Sequence, residues 1–236
     1  MIGIFDSGVG GLVSFGEIRR LLPRADIIYL ADRKNAPYGT KREEVLKGLV
    51  RADVQKLKRL GAEDILIACC TACTVYPLLG EDKKGALSII QPTADYISRL
   101  FKGSKENARI LVIATERTVD SKAFSRAINQ LLPSATVDEF ATQELVYLVE
   151  SGARDGKLGK RSEEYADTLC ERLSSFSPDC LVLGCTHFSH LEQEIKKRIP
   201  EAKILSPAKI GAVAFAESII KSGKEKLGSG RSIYIE

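Results

Sequence analysis

Asp64-Ile65-Leu66-Ile67-Ala68-Cys69-Cys70-Thr71 is the stretch on which the fold turns. A short aliphatic run followed by small and polar residues reads as a buried strand ending in a turn. The same order returns as Asp179-Cys180-Leu181-Val182-Leu183-Gly184-Cys185-Thr186. Two strands that each end in a cysteine and a threonine point to two similar α/β halves. Ligands of open α/β sheets sit beyond the carboxyl ends of the strands, so both Cys-Thr turns are expected to line one cleft. Pairing Asp64 with Asp179 sets Cys70, and not Cys69, against Cys185.

Outward from these two stretches, short β-branched or aliphatic runs alternate with longer amphipathic ones. Strands are predicted over 2–5, 27–30, 65–68, 88–90, 110–114, 181–184 and 203–205. Helices are predicted over 11–22, 41–60, 121–131, 143–151, 162–174, 191–199 and 208–221. Thr40 and Glu43 have the spacing of a capping box, Gly61 is a helix terminator, and Pro207 follows Ser206 as a helix start. Alternation of this kind predicts an α/β fold with mostly parallel sheets.

The composition is that of an ordinary globular protein: 44% hydrophobic and 28% charged over 236 residues, with a net charge of +4. Lys and Arg are interleaved with Glu and Asp along helical stretches, and Trp is absent. That pattern is a solvated helix face and argues against a nucleic-acid footprint. No apolar run approaches the roughly 20 residues that span a bilayer, and the start, Met1-Ile2-Gly3-Ile4-Phe5-Asp6, does not read as an export signal. A cytoplasmic location without membrane association is the expectation, and it makes the six cysteines reduced thiols.

The thiols carry the candidate chemistry. Cys69, Cys70 and Cys73 cluster after one strand, and Cys185 with His187 follows another. A strand end that leads into a helix favours a thiolate. Residues two apart in an extended segment share a side, which sets His187 where it can exchange a proton with Cys185. Cys170 and Cys180 read as small buried hydrophobes. Two rival readings stand beside this one. Cys70-Thr71-Ala72-Cys73 has the C-x-x-C spacing of a redox pair, and Cys69 or Cys70 with Cys185 and His187 can be combined into a zinc site. At the start of the chain, the glycine-rich turn Asp6-Ser7-Gly8-Val9-Gly10-Gly11 lacks a phosphate-loop lysine. Asp6 there suits an ammonium group better than a phosphate.

Taken in order, several segments resemble the glutamate racemases of the aspartate/glutamate racemase superfamily. They are the Asp6–Gly11 turn, Ala36-Pro37-Tyr38-Gly39, Ile67-Ala68-Cys69-Cys70-Thr71-Ala72, Ala114-Thr115-Glu116-Arg117-Thr118-Val119, Leu148-Val149-Glu150 and Leu183-Gly184-Cys185-Thr186-His187-Phe188. The resemblance implies two α/β domains, 1–92 plus 205–236 and 93–204, with the active site between them. It implies no cofactor and no metal, glutamate as the small-molecule partner, and room for a homodimer. Cys69 and Cys185 would be the catalytic pair, assisted by Asp6, His187 and Glu150. Asp6, Ser7, Tyr38, Gly39, Cys70, Thr71, Thr118, Thr186 and His187 would hold the substrate. The activity implied is cofactor-independent racemisation of glutamate, supplying D-glutamate for peptidoglycan. The chain departs from the family pattern at three places. Cys70 stands where the family has Asn, and a thiol is a weaker donor and acceptor than an amide. The stretch Phe140-Ala141-Thr142-Gln143-Glu144-Leu145 replaces a Cys-Pro segment, and Ser206 stands where Asp is common. These departures leave an alternative: a divergent relative that acts on another acidic amino acid, or binds one as a sensor.

Overall fold

Among the described residues every strand pairing is parallel, and the strands divide between two sheets. The structure is a computed structural model that describes residues 1–103, 107–147, 149, 176–224 and 228–236. The first sheet contains β1 (Ile2–Asp6), β2 (Ile27–Ala31), β3 (Asp64–Ile67), β4 (Ala86–Ser88) and β9 (Ser232–Ile235), in the order β4-β3-β1-β2-β9. The second contains β5 (Arg109–Ala114), β6 (Thr136–Ala141), β7 (Cys180–Gly184) and β8 (Lys203–Leu205), in the order β6-β5-β7-β8.

The two orders are the same pattern. Reading β5, β6, β7 and β8 as counterparts of β1, β2, β3 and β4 reproduces the neighbours of each strand; β9 is an addition at one edge. Each sheet therefore reverses direction of growth at the same place, between β1 and β3 and between β5 and β7. Ligand sites of such sheets form at these switch points. The central strands are wholly buried, as strands covered on both faces must be.

Helices α1 (Leu12–Leu21), α2 (Glu43–Arg59), α3 (Cys70–Cys73), α4 (Ile90–Phe101), α5 (Glu116–Ser121), α6 (Ala123–Leu131), α7 (Glu192–Arg198) and α8 (Pro207–Lys221) cover the sheets. Ala94, Ile97 and Phe101 of α4 share a core with Ala212, Phe215, Ala216 and Ile219 of α8. A smaller core lies in the second half around Leu181, Leu183, Phe188 and Ile195. Among the described residues no helix is long and apolar enough to cross a membrane.

Several local expectations are corrected. The capping box at Thr40 does not form: residues 38–40 make a 3₁₀ turn, and α2 starts at Glu43 behind Arg42, which gives no side-chain cap. The strand expected at 88–90 ends at Ser88, whose hydroxyl accepts the Ile90 N–H at 3.2 Å and opens α4. The helix expected at 121–131 is broken by Lys122 in the left-handed region (φ 52°), which separates α5 from α6. The Ser206-Pro207 start of α8 forms, with the Ser206 hydroxyl as cap. Residues 143–147 are helical as expected, while the helix expected over 162–174 lies outside the described residues.

Candidate active site

Four strand ends meet at one place. β1 delivers Asp6 and Ser7, β3 delivers Cys69, β5 delivers Thr115, and β7 delivers Cys185. Ser7, Tyr38, Gly39, Cys69 and Thr71 from the first half face Thr115, Cys185, Thr186 and His187 from the second across one cavity. Cys69 immediately precedes α3, and Cys185 immediately precedes a 3₁₀ turn at Thr186–Leu191; both hold extended backbone. The sheet register makes the two equivalent. Ile2 pairs with Ile27 and Asp64, and Ile110 pairs with Val137 and Cys180. Aligning β1 with β5 at their last residues, Asp6 and Ala114, therefore matches Cys69 with Cys185. The Asp64–Asp179 pairing of the sequence echo is one residue out of step, and Cys70 is displaced from the equivalent position.

Across the cleft the two halves touch closely. The Thr186 hydroxyl donates to Asp6 Oδ2 at 3.2 Å, while Asp6 Oδ1 accepts the Gly8 N–H at 2.8 Å. Thr71, Thr115 and Thr118 form a buried hydroxyl triangle with edges of 2.9, 2.9 and 3.3 Å. Further out, Arg117 and Glu43 pair at 2.7 Å. A Cβ on Gly10 would collide with Thr186, and one on Gly39 with Gln143 and Thr115. Glycine at both positions is what lets the halves approach. The cavity they enclose is about 10 Å³, room for about one water.

Of the residues singled out in the sequence, Ser7, Tyr38, Gly39, Cys69, Thr71, Cys185, Thr186 and His187 line the cavity together. Asp6 and Thr118 sit one layer out, bonded to Thr186 and to Thr71 respectively. Cys70 is buried within α3 and is not part of the wall. Glu150 lies outside the described residues. Thr115, Pro37 and Val146 also line the cavity; none was named as a site residue from the sequence, although Pro37 and Thr115 fall within segments that carry the resemblance. For Thr115 the signal was available, because it follows β5 as Ser7 follows the Asp6 end of β1.

The model of the Asp/Glu/Hydantoin racemase family matches residues 19–215. The chain belongs to that family. A glutamate racemase of Koribacter versatilis is 35% identical over 97% of this chain and 75% of its own length. One of Gloeobacter violaceus is 36% identical over 91% of this chain and 78% of its own. Among solved structures, a glutamate racemase isoform of Bacillus anthracis superposes with a TM-score of 0.87 at 28% identity, covering 99% of this chain and 86% of that one. The Francisella tularensis glutamate racemase, solved in complex with D-glutamate, gives 0.86 at 25% identity over 99% and 85%.

Within this racemase-family fold the two cysteines have different neighbours. Cys69 Sγ lies 3.5 Å from the Ser7 hydroxyl. Burial, reinforced by the Asp6 charge, pushes the Cys69 thiol well above the ordinary cysteine range. Burial also raises the Asp6 carboxyl, opposed chiefly by the His187 charge. Cys185 Sγ lies 3.5 Å from His187 Nδ1, a contact whose donor depends on the imidazole tautomer. Cys73, raised by burial to about 11, donates its thiol to the Ile67 carbonyl at 3.2 Å, and Cys70 is raised as well. Thiols so held resist the deprotonation that redox exchange requires. Among the described residues no group of three or more His, Cys, Asp or Glu side chains is arranged to hold a metal ion.

Proposed function

We propose that this chain interconverts L- and D-glutamate without a cofactor, using Cys69 and Cys185 as acid and base on opposite faces of Cα. The observation that carries this reading is that the two cysteines occupy equivalent strand ends and line one cavity from opposite halves. The family membership and the glutamate racemases it resembles support the substrate. The halves correspond to 1–92 plus 205–236 and to 93–204, and the substrate enters as they separate.

In one direction the Cys185 thiol passes its proton to His187, and the resulting thiolate takes the α-proton as the Cα–H bond breaks. Cys69, kept protonated by burial and by Asp6, delivers its proton to the other face. The roles reverse for the other enantiomer. The α-proton is far less acidic than a thiol. The developing carbanion is therefore stabilised by water exclusion and by fixed donors around the substrate carboxylate, for which Ser7, Thr71 and Thr186 are placed. The Asp6 carboxylate suits the substrate ammonium, whose arrival offsets its burial. The product would supply D-glutamate to peptidoglycan synthesis in the cytoplasm.

Proton NMR of the protein with each enantiomer in deuterium oxide tests the proposal. Loss of the glutamate α-proton signal with appearance of the opposite enantiomer is expected, with aspartate much slower. No exchange with glutamate, or faster exchange with aspartate, overturns it.

A further inference from the structure

Tyr38 forms part of the cavity wall, is 2% exposed, and packs its ring against Phe5 at 6.1 Å between centroids. Its hydroxyl lies 2.6 Å from Asp32 Oδ2 and 3.0 Å from Asp53 Oδ2. A phenol has one proton to donate and an ionised carboxylate has none. Both contacts are hydrogen bonds only if one carboxyl is protonated. Asn35 Nδ2 sits 3.0 and 2.9 Å from the two oxygens of Asp32, so Asp32 already accepts from one side chain and takes the Tyr38 proton as well. The extra proton belongs on Asp53, which then donates to the phenol oxygen. The chain runs Asp53 to Tyr38 to Asp32.

This relay reaches the cleft through the backbone. Tyr38 stands between Pro37 and Gly39, which also line the cavity, and Gly39 is wedged against Thr115 and Gln143 of the opposite half with no space for a Cβ. Whatever fixes Tyr38 fixes this wall against both halves. Asp53 itself is on α2, outside the cavity.

We infer that Asp53 is a positioning residue: protonated, it holds Tyr38 and the 37–39 wall in place, and so sets substrate affinity while leaving proton transfer at Cα alone. The inference rests on the glutamate reading above for its kinetic form. Burial first, and then the charge of Asp32, disfavour ionisation of Asp53; the Tyr38 hydroxyl and Lys56, one turn along α2, favour it. The balance raises Asp53 to about 6. The sign follows. Below about pH 6 the proton is retained and the wall is held; above it, two carboxylates confront one hydroxyl, and a hydrogen bond is lost.

The test measures KM and kcat for D-glutamate from pH 5 to 8 in the wild type, Asp53→Asn and Asp53→Ala, with hydrogen exchange of the 36–41 segment compared between proteins at each pH. For the wild type, KM should rise about two- to tenfold through pH 6 relative to Asp53→Asn, the worth of one hydrogen bond. The Asn amide donates to Tyr38 at every pH, so that variant should keep a low KM and slow exchange throughout. Asp53→Ala should show the raised KM and faster exchange at all pH values, with kcat unchanged in both variants. An Asp53→Asn KM profile that follows the wild type, or an Ala variant with unaltered KM and exchange, overturns the inference. Absence of glutamate turnover in every protein would sink the proposed activity instead, while the exchange ranking of Asn against Ala still decides the role of Asp53.

Discussion

The turn after β3 and the turn after β7 share a backbone plan and differ in the partner each gives its sulfur. In the first, Cys69 meets the Ser7 hydroxyl at 3.5 Å, under burial and the Asp6 charge. In the second, Cys185 meets His187 Nδ1 at the same 3.5 Å. Counting two residues past each cysteine, the first half has Thr71, which bonds Thr115, where the second has His187. A hydroxyl is a poor base near neutral pH, whereas an imidazole is a good one. Duplicated strand ends thus give two-sided geometry, while the neighbours of the two sulfurs are unequal, which is the asymmetry the proposed exchange would use.

The largest expected effect breaks the equivalence of the two sulfurs. Cys69→Ser and Cys185→Ser should each lower racemisation by about 10²–10⁴-fold, the usual scale of acid–base catalysis. Each variant keeps one thiol, and each should still eliminate a β-leaving group from an analogue, with opposite enantiomer preferences. Chiral assay of the residual analogue reads this out; a shared preference, or wild-type racemisation by either variant, rules out two bases. A smaller effect probes the neighbours. Replacing His187 with Gln should slow the reaction more than Ser7→Ala, because only His187 can accept the sulfur's proton. Steady-state rates at neutral pH settle the ranking, and equal losses would mean that the asymmetry has no chemical role. The smallest effect is expected at Cys70, which is outside the wall. Cys70→Asn should turn over glutamate at or above the wild-type rate in the same assay. A collapse comparable to Cys69→Ser would return the base to Cys70.

Much of this comparison was legible in the sequence. The two strand-Cys-Thr stretches announced paired halves because fully buried parallel strands must be aliphatic. The echo alone misled on register, pairing Cys70 with Cys185 where the family resemblance had Cys69, because Asp64 and Asp179 do different work. Asp64 lies within β3 and binds Lys224, whereas Asp179 precedes β7 and accepts the Arg109 N–H. β6 escaped notice because Asp138 and Glu139 interrupt its strand character, and it exists by pairing with β5. Helix α4 was hidden by Pro92, which is tolerated only because it falls in the first turn, where an N–H needs no helical acceptor. Thr115 was missed because it carries no chemistry by itself; its place beside Thr71 comes from the meeting of two sheets.

The chain passes between the sheets twice, out from α4 to β5 and back from β8 through α8, and α4 and α8 lie packed together. A body tied at one point can swing in any direction, but one tied at two keeps a single easy rotation, about the line joining the ties. In the opening proposed above, two ties would leave a door's motion on two hinges. A door returns to the same frame each time, so the two sulfurs would come back into opposition after every turnover with no search over orientations.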